Sequence, residues 1–86
     1  MNEMIKLYIE RLTSDDINNF AMKNDVYLNE KELIFTYNFV KKNAMDLIKN
    51  PDMLDLEEYR NYYSSENFLK IEKLLKEYLT KFKNYL

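Results

Sequence analysis

Eighty-six residues, 47% hydrophobic and 33% charged, describe one small globular domain spanning 1–86 rather than a disordered segment or two separately cored units. The chain has no Gly, no Cys, no His, one proline and a net charge of −2. That excludes disulfides, Ser–His and Cys–His nucleophile pairs, the common zinc sites and glycine-rich phosphate loops, and leaves no global electrostatic pull toward nucleic acid or anionic membrane.

Glycine is the default residue where the backbone needs positive φ, in tight hairpins and most helix C-caps. Its absence argues for an all-α protein in which Asn serves at the helix ends. The expected architecture is a compact four- to five-helix bundle with a helix-turn-helix-like corner near residues 14–48 and a long C-terminal helix.

From Asn2 to Leu12 the apolar residues Met4, Ile5, Tyr8, Ile9 and Leu12 recur at the helical period. Charges inside "MNEMIKLYIE" argue against a signal peptide, and no apolar run approaches the roughly 20 residues that cross a bilayer. The chain therefore reads as cytoplasmic, without a membrane partner.

Thr13 stands three places before Asp16, the spacing of a capping box, and opens a short helix with Ile17, Phe20 and Ala21 inward. "KNDV" ends it, because Asn and Asp tolerate the left-handed conformation. Asn29 and Glu32 repeat the device and open a third helix to about Lys49. Its apolar stripe is Leu33, Tyr37, Val40, Ala44 and Leu47, and Lys41, Lys42 and Lys49 lie toward the end where the helix dipole favours cations. Asn50 and Pro51 mark a stop and a restart. "PDMLDLEEYRNYY" then reads as a short acidic helix, before Ser64 or Ser65 caps the last one.

In that last helix Phe68, Ile71, Leu75, Tyr78, Phe82 and Tyr85 alternate spacings of three and four. Leu69, Leu74, Leu79 and Leu86 widen the stripe beyond a bare coiled-coil seam, which favours a bundle core over a dedicated coiled-coil dimer. The expected core comprises Ile17, Phe20, Leu33, Tyr37, Val40, Leu47, Phe68, Ile71, Leu75, Tyr78 and Phe82.

The remaining reactive side chains are carboxylates, lysines and tyrosines. Asp15 and Asp16 are adjacent and point about 100° apart on a helix, so they do not converge. Asp52, Asp55, Glu57 and Glu58 are denser, but acids at a helix start are ordinarily a solvated face. No catalytic, cofactor or metal residue is assigned, and an enzyme is not expected.

Residues 50–69 carry five acids against Arg60 alone, a net of −4, and residues 70–86 carry five lysines against two acids, a net of +3. Lys70, Lys73, Lys76, Lys81 and Lys83 are the candidate nucleic-acid face, since lysine with neighbouring tyrosine meets phosphate. The patch lacks arginine, the residue of bidentate phosphate and guanine contacts.

The corner at residues 14–48 has the outline of a DNA-reading helix-turn-helix. Its second helix, however, opens on Asn29, Glu30, Lys31 and Glu32, which would bring two carboxylates toward phosphates. A bundle corner is favoured.

Eight tyrosines and five phenylalanines are many for this length. Tyr59, Tyr62 and Tyr63 cluster before the last helix, cannot all be buried easily, and form the candidate protein interface; tyrosine offers large contact area with a polar tip. An AT-rich genome would enrich the same residues by codon bias.

In the order of its segments, "LTSDDINNFAMKNDVYLNEKEL", "FVKKNAMDLIKNP" and "SSENFLKIEKLLKEYLTKFKNYL", the chain resembles a family of short helical proteins from low-GC Gram-positive bacteria, grouped as a domain of unknown function. The resemblance implies a small cytoplasmic all-helical fold and transfers no catalytic or binding residue. The function expected from the residues is a non-enzymatic interaction module whose partner is another protein or a second copy of the chain. Nucleic-acid binding through the lysine face is the alternative.

Overall fold

Four α-helices carry residues 3–84, the part of the chain described by the computed structural model: α1 (Glu3–Arg11), α2 (Ser14–Lys23), α3 (Glu30–Lys49) and α4 (Ser65–Lys83). Two short 3-10 helices, Pro51–Met53 and Glu57–Tyr62, join α3 to α4. No strand occurs among the described residues, and the architecture is all-α. Asn2, Tyr85 and Leu86, included in the expected helices, lie outside the described residues.

Both expected capping boxes form. Thr13 Oγ1 accepts the Asp16 N–H at 3.1 Å and Asp16 Oδ2 accepts the Thr13 N–H at 3.0 Å. Asn29 and Glu32 exchange the same pair of bonds, both at 2.8 Å. The break after α2 solves the missing-glycine problem with Asp25, which takes φ 61°. The Val26 N–H reaches the Ala21 carbonyl and the Asp25 N–H the Met22 carbonyl, a Schellman closure in which buried Val26 and Ala21 supply the apolar contact.

The buried residues of α3 are Glu32, Thr36, Val40, Ala44 and Ile48, spaced strictly by four. The expected stripe is right at Val40 and Ala44, while Leu33, Tyr37 and Leu47 are only half-buried. A four-residue step advances about 40° around a helix, so the buried face winds along α3. It winds because its neighbours change: α3 packs on α2 and α4, and also on α1 and both 3-10 helices. In α4 the expected Phe68, Ile71 and Leu75 are buried together with Leu74 and Leu79. Tyr78 and Phe82 are half-buried against the aromatic rings of Phe20 and Tyr8 respectively. The stripe of α4 is spent inside the domain except at Leu69, expected to widen it but 76% exposed.

Lys41 does not serve the end of its own helix. Its Nζ donates to the carbonyls of Ile9, Glu10 and Leu12 at 2.8, 2.7 and 3.3 Å, capping α1, which runs into the cap of α2 with only Leu12 and Thr13 between. A cation at a helix C-terminus and three satisfied carbonyls are the same physics expected for α3, applied across the bundle. Lys41→Met should therefore cost about 1–3 kcal/mol. The check is denaturant unfolding together with amide exchange, which should accelerate first in α1.

Candidate protein-interaction surface

The segment between α3 and α4 is acidic but does not form one continuous helix. Leu54 and Leu56 are both buried, and reaching inward from adjacent turns breaks the helical path between Met53 and Glu57. Glu72 Oε2 on α4 accepts the Leu56 N–H at 3.0 Å and anchors the break. Asp55 Oδ1 then accepts the Glu57 N–H at 2.9 Å and starts the second 3-10 helix.

Three residues per turn put i and i+3 on one edge of a 3-10 helix. Tyr59 and Tyr62 thus line one edge, toward α3, while Tyr63 follows the helix in extended conformation. Tyr62 stacks on Phe35 with centroids 4.4 Å apart and 14° between planes. Tyr59 meets Phe35 at 5.1 Å and Phe39 at 5.7 Å. Arg60 lies 4.3 Å over the Phe68 ring and pairs with Glu57 through two bonds of 3.0 Å.

The three candidate interface tyrosines part company here. Tyr62 is 57% exposed and Tyr59 half-buried, but Tyr63 is only 8% exposed. The Tyr63 ring packs edge-on to Phe35 and its hydroxyl shares a 2.5 Å hydrogen bond with Thr36 Oγ1. Burial pushes its phenol up to about 12. Tyr63 is a core residue and leaves the surface to Tyr59 and Tyr62. Beside Tyr59, a trench of about 290 Å³ opens along α3, lined by Phe35, Asn38, Phe39, Lys42, Asn43 and Tyr59.

Behind this ledge lies a buried carboxylate that the sequence shows only as a cap. Glu32 is 1% exposed. Its Oε1 accepts the Asn29 N–H and the Asn67 side-chain amide, both at 2.8 Å, and its Oε2 accepts the Ser64 N–H at 2.7 Å. Asn67 also donates to the Tyr27 carbonyl at 2.9 Å. One carboxylate thus receives donors from the starts of α3 and α4, and serves as the anion that two helix N-termini favour. Burial pushes its carboxyl up, but the hydrogen bonds from Asn29, Ser64 and Asn67 outweigh that and hold it below the usual range.

Neither Glu32 nor Tyr63 exchanges a proton near neutrality. Four surface acids are engaged as well: Asp52 with Lys76 at 3.5 Å, Asp55 with Glu57 N–H, Glu57 with Arg60, and Asp16 in its box. Among the described residues no group of three His, Cys, Asp or Glu is placed to hold a metal ion. The start of α3 points its carboxylate into the domain, where a groove-reading helix would present base-contacting side chains outward.

The five lysines of α4 share its solvent-facing side but reach different neighbours. Lys70 reaches the Asp25 carbonyl at 3.4 Å and Glu66 at 3.3 Å, and Lys81 lies over Phe20, both toward α2. Lys76 turns to Asp52 on the opposite flank. At 100° per residue the five lysines spread over about 160° of α4, with Lys73 midway between Lys70 and Lys76 and with exposed Leu69, Glu77 and Thr80 interleaved. Among the described residues no helix is long and apolar enough to cross a membrane.

No protein-family model, curated protein or solved structure matches the chain.

Proposed function

We propose that this chain is a non-enzymatic protein-interaction module that works through the Phe35–Phe39–Tyr59–Tyr62 ledge. The observation that carries the reading is Tyr62, an aromatic side chain 57% exposed yet held flat on Phe35. A pre-ordered aromatic surface binds with little further loss of side-chain freedom, and tyrosine at such a place supplies apolar area and a polar tip. The absence of His and Cys from the sequence and the commitment of the one buried carboxylate among the described residues, Glu32, to helix capping support a binding role over a catalytic one.

The test is affinity capture from native lysate with the wild type and a Tyr59→Ala/Tyr62→Ala variant, each with and without nuclease. A discrete protein retained through nuclease treatment and lost on the variant is expected. Recovery of RNA or DNA that releases steeply with salt, and equally from both baits, would overturn the reading in favour of the lysines of α4.

A further inference from the structure

α1 is apolar around more of its circumference than the domain covers. Ile5 and Ile9 are buried against the bundle. At 100° per residue Leu7 points about 180° away from the mean direction of that pair, straight outward. It is 46% exposed and stands between Met4 at 79% and Tyr8 at 45%. These three and Arg11 line a groove of about 280 Å³, one wall of which is set by Tyr8 packing on Phe82 at 5.1 Å. A surface helix ordinarily turns polar residues to that side. A contiguous apolar patch there marks a contact, where a single exposed side chain would not.

The charges along the patch name its occupant. Glu3, Leu7 and Arg11 are spaced by four and form one row along the outside of α1, all three exposed. The row reads acid, leucine, base, and Leu7 is the middle residue of Glu3–Arg11. Neither Glu3 nor Arg11 forms an ion pair among the described residues. Such a row is complementary to its own reverse. Antiparallel, two copies set Leu7 on Leu7 and Glu3 toward Arg11 at both ends. Parallel, they set Glu3 on Glu3 and Arg11 on Arg11. On the flank of the antiparallel pair Glu10 comes level with Glu3 and Lys6 of the second copy, one like and one opposite neighbour, so the Glu3–Arg11 pairs set the direction.

We propose that the outer face of α1 is the interface of a two-fold homodimer in which two α1 helices cross antiparallel at Leu7. The contact is isologous, so it closes and does not propagate. The apolar patch supplies the attraction, since exposed ion pairs are worth little and chiefly fix orientation. A contact of one nine-residue helix per copy is small, and the dimer is concentration-dependent. The Tyr59–Tyr62 ledge lies on other elements, so the inference goes beyond the interaction-module reading and does not rest on it.

Sedimentation velocity up to about 1 mM reads the association directly. The wild type is expected to shift from monomer to dimer and to stop there. Leu7→Glu sets two carboxylates against each other at the crossing point and should weaken the dimer about ten-fold or more. Arg11→Glu sets like charges at both ends and should weaken it about three-fold or more. Circular dichroism of both variants should match the wild type, because both positions are exposed.

The decisive arm adds Glu3→Arg to Arg11→Glu. The exchanged row is again complementary to its reverse, so the double variant should recover wild-type association. A base at the start of a helix and an acid at its end both oppose the helix dipole, so recovery cannot come from a repaired α1. A wild type that stays monomeric, a Leu7→Glu variant that associates like it, or a double variant no better than Arg11→Glu would each overturn the inference.

Discussion

Glu32→Ala should cost about 3–5 kcal/mol, because the Asn29 N–H, the Ser64 N–H and the Asn67 amide lose their acceptor in a buried site at once. A domain of this length holds roughly 4–13 kcal/mol in total, so the variant sits near or below its folding threshold. Glu32→Gln keeps the shape and one acceptor, and should cost about 1–3 kcal/mol.

The pH dependence separates lost charge from lost packing. A carboxyl held below its ordinary value of 4.5 in the folded state contributes stability above that value. That contribution is lost as pH falls through the folded-state value. Wild-type stability should therefore drop on acidification below pH 4.5, and Glu32→Gln should drop less steeply over the same range. Urea unfolding at pH 7 and at successively lower pH measures both. Parallel acid limbs in the two proteins would mean that other carboxyls carry the effect.

Ile48→Ala should cost about 2–5 kcal/mol and the neighbouring Leu47→Ala only about 1–2. Ile48 has 0% exposure, whereas Leu47 lies half-buried on the flank of the winding face. Urea midpoints at unchanged m decide it. Equal costs would restore the heptad-like stripe that the spacing of α3 suggests.

These two sites mark where the sequence is readable and where it is not. Caps are local, and Thr13–Asp16, Asn29–Glu32 and Ser64 are legible because a helix start needs a short acceptor at a fixed offset. The stripe of α4 is legible at Phe68, Ile71 and Leu75 because that helix keeps one face inward. In α3 the inward face rotates as its neighbours change, and polar Glu32 and Thr36 occupy buried positions that a hydrophobic pattern assigns to Leu33 and Tyr37. Glu32 is visible as a cap, but its bond to Ser64 spans 32 residues and leaves no mark in local spacing. Tyr59, Tyr62 and Tyr63 are identifiable as a cluster. Their division into surface and core follows from where the 3-10 helix ends, with Tyr59 and Tyr62 on one edge of it and Tyr63 in extended backbone just beyond, and the segment reads from sequence as an ordinary helix. The lysines of α4 are legible as one broad solvent-facing arc because helical spacing alone sets the angles between them, whereas their partners Asp25, Asp52 and Phe20 lie far away in sequence.

In the proposed module Tyr59 and Tyr62 offer a surface which the fold itself does not need. Unfolding free energies of Tyr62→Ala and Tyr63→Ala, measured side by side in urea, address it most directly. Tyr63→Ala should lose about 3–5 kcal/mol, as a buried ring whose hydroxyl holds Thr36, and Tyr62→Ala no more than about 1 kcal/mol. Comparable losses would make Tyr62 a structural residue and remove the ledge as a binding surface.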